Sequence, residues 1–416
     1  MRVWLLQTGE PMPFDRDGSR PMRAVNLTRS LQEAGHEVLV WTADFDHRTH
    51  SHRYGRNTEV RSRHLTVRYL HSRGYVNNVG LARLIDHAEL ARQLRRALSD
   101  PQTQKPDVAF IGYPPIEPAS VMVKWLVDRQ VPCLLDVKDA WPDVLLRAIP
   151  ESLDVLGHAI LSPYYSSMRR TFGRATALSA MAEPFLEWAL GQAGRSRNEL
   201  DASFPLTSRT THFSHAQYSD AERWCEQQGY GQDGRFTLGF VGTLHSSYVW
   251  EPVLEAAKVH SDARFVIAGD GSQHEELRRR AKHLANVALP GWVSQVQAEV
   301  LARHCDAALI PVGKHVDFEM SVPNKVYDAM AAGLPIMSSL AGATRRLIES
   351  ERIGYYYDAS LPQSLVHLVE RAKTDVDGTR EMGRRAQLLF AERFTVDKVY
   401  GALARHLELM ASACDG

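Results

Sequence analysis

The sequence predicts an α/β protein of two domains, each an open parallel sheet with helices on both faces. Three observations predict it. Short buried-type strands alternate with helices at a steady rhythm. That rhythm breaks once, around 206–235, and then restarts in full. And 416 residues are long for one domain but comfortable for two.

The elements follow in order. Val3–Leu6 reads as a strand, with a polar Gly/Pro loop from Thr8 to Arg20 behind it. Pro21 suits the first position of the next helix, and Gly35 stops it. Strands follow at 36–42 and 65–70, a helix at about 81–98, and a strand at 107–112 that runs into Tyr113-Pro114-Pro115. Strands at 133–139 and 174–180 close the first domain, placed at 1–205. Residues 206–235 read as a linker carrying a short polar helix. In 236–394 the strands recur at 236–242, 264–269, 286–290 and 306–311, each with its helix. A final helix within 395–416 comes after both sets and needs a surface to pack on.

Composition excludes several classes. Basic and acidic residues balance at 49 each, so no bulk attraction to nucleic acid is expected. The four cysteines are scattered without a CxxC pair, which suggests neither a zinc ribbon nor a disulfide framework. No apolar run approaches the ~20 residues of a membrane helix, and the run after Met1 is too brief for a signal peptide. A soluble, cytoplasmic chain is expected. Charge is uneven locally: between His47 and Ala97 eleven arginines face only Glu59, Asp86 and Glu89.

Ligands of open parallel sheets bind beyond the carboxyl ends of the strands, and the candidates lie there. Gly242 and Thr243 end one strand, followed by His245; Gly269 and Gly271 end the next. Glycine lets backbone N–H groups approach phosphate oxygens, although a tight turn needs it equally. Gly291, Trp292 and Val293 offer a wall for a flat heterocycle. In 321-SVPNKVYDAMAAGLPI-336 a short helix opens after Pro323 at Asn324, with Lys325 and Asp328 three apart on one face. That spacing equally describes a surface ion pair. The functional reading gives the carboxylate a vicinal diol and the ammonium a diphosphate. In the first domain, Lys138 and Asp139 end a strand, and Gly9, Gly18, Arg20 and Arg23 line a loop suited to an acidic acceptor.

These residues together resemble the retaining glycosyltransferases of family four, in particular a PNK/PSK-type branch from bacterial surface-polysaccharide clusters. The resemblance rests on 321-SVPNKVYDAMAAGLPI-336, 238-LGFVGTL-244, 265-FVIAGDG-271, 286-NVALPGWVS-294 and 135-LDVKDAWPD-143. It implies the GT-B architecture: two Rossmann-like domains facing across a cleft. It implies a nucleotide-sugar donor, UDP- or GDP-linked, held in the second domain. Asp328 would hold the ribose hydroxyls, with Ser321, Pro323, Asn324 and Lys325 nearby and Gly291–Val293 at the base. The first domain would bind a glycan or lipid-linked acceptor, and the last helix would cross back onto it.

Two departures stand out. The first glutamate of the family's E-x7-E motif falls on Met320, with Glu319 one place off. The usual Arg/Lys diphosphate clamp falls on Thr243 and Tyr248. Lys325, helped by His245 or Arg20, is the expected replacement for that charge. Lys138, Asp139 and Glu319 are the catalytic candidates, and no metal or other cofactor is expected. Asp44-Phe45-Asp46 is a DxD, but it lies in the acceptor half, and the histidines after it (His47, His50, His52) read as loop. The arginine-rich span reads as a solvated face or as a peripheral contact with the inner membrane leaflet. Two rival readings share the architecture: a nucleotide-sugar epimerase and a non-catalytic nucleotide-sugar-binding subunit.

Overall fold

The computed structural model describes residues 1–15, 20–76, 80–146, 154–207, 213–231 and 233–413. The chain divides into two compact units, Met1–Arg209 with Val396–Gly416, and Thr210–Thr395.

In the first unit the strands are β1 (Arg2–Leu6), β2 (Glu37–Ala43), β3 (Phe45–Asp46), β4 (Ser51–His52), β5 (Thr58–Ser62), β6 (Leu65–Leu70), β7 (Val108–Tyr113), β8 (Cys133–Val137), β9 (Ala177–Ala180) and β10 (Ala202–Ser203). Eight of them form one sheet in the order β10-β9-β8-β7-β1-β2-β6-β5. Strands covered on both faces read as continuous apolar runs, as in Val3-Trp4-Leu5-Leu6. Two features escaped the sequence reading. β5 pairs antiparallel with β6 at the sheet edge; its charged, exposed Glu59 and Arg61 hide the strand pattern. β3 and β4 make a separate two-stranded hairpin directly after β2.

The second unit holds β11 (Thr237–Val241), β12 (Arg264–Ala268), β13 (Val287–Gly291), β14 (Ala307–Ile310), β15 (Ile336–Ser338) and β16 (Gly354–Tyr356). They run parallel in the order β13-β12-β11-β14-β15-β16. In each unit the winding reverses beside the first strand, at β1/β7 and at β11/β14. Such reversals open a crevice at the strands' carboxyl ends.

Much of the segment 206–235, expected as a linker, falls in the second unit. Helix His215–Gln227 opens with a Ser214/Gln217 capping box, and Ala221, Cys225 and Tyr230 are buried against Val266, Val300 and Leu301 of the second unit. Its polar outer face is what made it read as connection. The final helix, Val396–Ser412, belongs to the first unit. Val399, Tyr400, Leu403, Leu407 and Met410 recur at helical spacing and are buried with Leu27 and Leu31. No described helix is long and apolar enough to cross a membrane.

Candidate functional site

In the second unit the β11/β14 crevice is narrowed by the loops that leave those two strands. Val249 N–H donates to Pro311 O at 2.8 Å and Gly313 N–H to Ser247 O at 2.7 Å. Behind this clasp Phe240, Tyr248 and Trp250 pack edge to face, with ring centroids 4.9 and 5.1 Å from Phe240. Tyr248 is buried, and burial pushes its phenol up to about 12. A clamp lysine has no room there.

Lys325 reaches the same place from the first turn of helix Asn324–Ala331. Its ammonium donates to Val241 O at 2.5 Å and lies 4.9 Å from the Phe240 ring centroid. The room for it comes from Gly242: a Cβ at that position would collide with the Lys325 ammonium. His245 shares the neighbourhood; burial, then Lys325, then His315 hold its imidazole below the ordinary range. The helix carrying Lys325 starts without a side-chain cap, after Pro323 in extended conformation. Ammonium and helix N-terminus thus bring positive potential to the carboxyl end of β11. Asp328 stands one turn on and is exposed, and Asn324 is half-buried. Trp292, directly after Gly291 at φ +77°, is 75% exposed, while Val293 packs on the core beneath.

Other expected donor residues make contacts within the fold or stand exposed. The amides of the three glycines are engaged within the fold. Gly242 N–H donates to Ala268 O (3.0 Å) and Gly269 N–H to Gly291 O (2.7 Å), and Gly271 N–H donates to Asp270 Oδ1 (2.7 Å). Side chains at Gly269 and Gly271 would strike the carbonyls of Gly242 and Leu244, so these glycines let the strand ends stack on one another. Ser321 is buried with Oγ turned to Phe318 O, and its carbonyl accepts from Thr344 Oγ1 at 3.1 Å. Thr243 is exposed. Glu319 closes the short helix Val316–Glu319, its backbone carbonyl packed against Gly342.

In the first unit, Lys138 donates to Glu10 Oε1 at 2.6 Å, with side-chain exposures of 15% and 5%. The other oxygen of Glu10 accepts Ala24 N–H at 2.9 Å, which caps helix Arg23–Glu33 from the loop after β1. Arg23 is no acceptor ligand. Its side chain and that of Asp136 are fully buried 3.3 Å apart, and it donates to Phe204 O at 2.6 Å. Asp139 and Gly9 are exposed and Arg20 is half-buried; Gly18 lies outside the described residues. The sequence reading did not name Glu10, because its partners Ala24 and Lys138 are far along the chain. An acid just past the first strand was the available signal.

Glu117 was missed as well. At the start of helix Ile116–Val127, it is raised to about 7 by burial, against the pull of its hydrogen bonds. His87 Nδ1 stands 3.9 Å from its carboxylate and is itself lowered to about 3, by burial first and then by Arg83 and His47. Arg83 lies 4.9 Å from the Trp141 ring. The arginine-rich span is partly self-neutralised: Arg48 and Arg53 pair with Asp15 and Asp46, Arg61 and Arg68 with Glu59, and Arg73 and Arg92 with Glu89. Among the described residues, Asp44, His52 and His71 have the mutual closeness a metal ion needs. Asp46, the other acid of the DxD, is taken up by Arg48 and Arg53.

The family described as "Glycosyl transferase 4-like domain" matches residues 22–201, and that described as "Glycosyl transferases group 1" matches 235–375. A GDP-mannose-dependent alpha-mannosyltransferase of Mycolicibacterium smegmatis is 29% identical over 157 residues, 36% of this chain and 39% of that protein. The match therefore spans well under half of that relative. Among solved structures, sucrose-phosphate synthase from Thermosynechococcus elongatus superposes with a TM-score of 0.69 at 14% identity, covering 99% of each chain. Anabaena HepE in complex with UDP gives 0.64 at 16% identity, covering 98% of this chain and 99% of that one. WaaG, a glycosyltransferase involved in lipopolysaccharide biosynthesis, gives 0.63 at 13%, covering 98% and 99%. At these identities the shared property is the fold.

Proposed function

We propose that the chain is a glycosyltransferase of the GT-B type, with regions that match a 4-like and a group 1 glycosyl transferase family, and that it moves a hexose with retention of anomeric configuration. The donor is a nucleoside-diphosphate sugar, UDP- or GDP-linked, and the acceptor is a glycan or a lipid-linked saccharide of a surface polysaccharide or glycoconjugate. Transfer needs no metal ion.

One observation carries the reading. Lys325 holds its ammonium at the carboxyl end of β11, in the space that Gly242 leaves open. A departing diphosphate needs positive charge that is already in place, so that none has to be reorganised as the bond breaks. Lys325 and the uncapped start of its helix supply it where the family's clamp is replaced by Thr243 and Tyr248, and His245, held neutral beside them, can add a hydrogen bond but no charge. Asp328 on the same helix takes the ribose hydroxyls, and Trp292 gives the base a flat apolar surface. HepE, solved in complex with UDP, shares the fold, which supports a nucleotide ligand.

The acceptor belongs to the first unit. Lys138, set by Glu10, and the exposed Asp139 lie at the end of β8. Lipid linkage draws support from exposed apolar side chains at two helix starts: Leu81 at 78% in Leu81–Leu98, and Val155 at 85% in Asp154–Arg174. A cytoplasmic enzyme touching the inner leaflet through either helix start fits them.

The test is donor affinity by calorimetry, using UDP- and GDP-sugars. Lys325→Ala is expected to weaken the true donor by roughly 1.5–3 kcal/mol, about ten- to over a hundredfold. Asp328→Ala is expected to weaken it without changing affinity for inorganic diphosphate. Unchanged binding in both variants sinks the assignment. Donor consumption that proceeds equally without acceptor would indicate an epimerase instead.

A further inference from the structure

Three side chains from separate elements of the first unit converge beneath the small hairpin after β2. Asp44 follows β2, His52 ends β4 and His71 follows β6. The Asp44 carboxylate is fully buried. His52 Nδ1 stands 3.0 Å and His71 Nδ1 3.2 Å from the same oxygen, Oδ2. The three ligand atoms all lie within 4.8 Å of one another. The carboxylate is aimed by backbone amides, Tyr54 N–H to Oδ1 at 2.7 Å and Gly55 N–H to Oδ2 at 3.0 Å. The imidazoles, 30% and 39% exposed, leave a path from solvent.

We propose that Asp44, His52 and His71 form a binding site for a divalent transition-metal ion of the zinc type. Two imidazole nitrogens and one carboxylate suit zinc, cobalt or nickel; magnesium and calcium prefer all-oxygen shells. With bonds of about 2.0–2.1 Å, neighbouring ligand atoms around a tetrahedral ion stand about 3.3 Å apart. Both separations from Oδ2 fall within a few tenths of an ångström of that, and with all three ligand atoms within 4.8 Å of one another an ion would draw the two imidazoles together. Without an ion, both rings must give Nδ1–H to one oxygen that already accepts the Gly55 amide. The amides of Tyr54 and Gly55 supply the outer-shell support that orients a ligating carboxylate. Three protein ligands leave a fourth position for water or a small anion on the exposed side. The ion ties the hairpin to the carboxyl ends of β2 and β6. Lys325 and Asp328 belong to the other unit, so this site and the donor reading stand or fall separately.

The experiment uses the untagged full chain, stripped with chelator and titrated with Zn2+ against a chromophoric competitor. One equivalent is expected to bind, with His52→Ala and His71→Ala each lowering affinity at least tenfold. His64→Ala is the control: that exposed histidine lies before β6, at the opposite end of the strand from His71, and binding should not change. Zn2+ should raise Tm in the wild type and in His64→Ala only. Asp44 also anchors two backbone amides, so its replacement tests folding as much as metal. Should a histidine variant fail to fold, imidazole 15N spectra of the wild type decide: the Nδ1 signals of His52 and His71 must shift on adding Zn2+. No uptake by the wild type, equal uptake by all variants, or unmoved Nδ1 signals overturns the site.

Discussion

Glu117 concentrates in one side chain the conflict between burial and charge. Its folded-state value of about 7 lies above the ordinary 4.5, because burial penalises the carboxylate. A raised acid favours the fold while neutral: its contribution is complete below about 4.5 and is lost as pH rises through about 7. The loss is up to about 3 kcal/mol, at 1.36 kcal/mol per pH unit. Glu117→Gln should therefore match the wild type in urea unfolding at pH 4.5 and exceed it at pH 8. A constant difference between the two across that range would refute the burial argument. Single residues could be named from the sequence where one local segment holds the candidates, as with Lys325 and Asp328 on one helix turn. They were illegible where the partner comes from far away: Glu10 with Lys138, His71 with Asp44 and Arg23 with Asp136. Spacing along a chain carries no trace of such pairs. The glycines misled for a related reason, since a residue without a side chain looks the same whether a ligand or the chain's own backbone fills the gap.

Among elements, the last helix has the plainest energetics. Leu403 and Leu407 are fully buried, and Tyr400 Oη–H donates to Thr207 O at 2.9 Å. Leu407→Ala should cost about 2–5 kcal/mol through lost transfer energy and a cavity. Tyr400→Phe should cost about 1 kcal/mol, leaving one carbonyl without its donor. Urea midpoints would measure both, and a negligible loss for Leu407→Ala would mean that this helix packs less firmly than its burial indicates. The main strands were readable because a sheet covered on both faces demands unbroken apolar runs. β5 and the β3–β4 hairpin were not readable: the first is charged on its exposed positions, and the second is two residues per strand. Helix His215–Gln227 was recognised as a helix but misassigned, since only Ala221 and Cys225 mark its inward side.

Over the whole molecule, charge balance is exact on paper at 49 of each sign, yet the sign is distributed unevenly. Ion pairs consume much of the arginine excess near β5 and β6, while Arg95 and Arg96 remain in the last turn of helix Leu81–Leu98. Attraction to an anionic bilayer would then be local and modest, and helped by Leu81 and Ile85. The full chain should sediment with vesicles rich in phosphatidylglycerol at low salt and much less at 0.5 M NaCl, where screening acts within a few ångströms. Leu81→Ser with Ile85→Ser should reduce it further. Salt-independent sedimentation, or none, removes the membrane from the picture. The two-domain plan was legible because the strand–helix rhythm restarts; that helix His215–Gln227 falls in the second unit was not, because it is polar on its outer surface.

The first unit is written in two pieces of sequence, with the whole second unit between them. A ribosome making this protein releases Leu27 and Leu31 long before Leu403 and Leu407, their packing partners, have been synthesised. The earlier portion must wait, its apolar helix face uncovered, while the later portion collapses on its own. Completion of the first unit after the second is therefore expected during synthesis, whereas a full chain refolding from denaturant has both pieces at hand from the start.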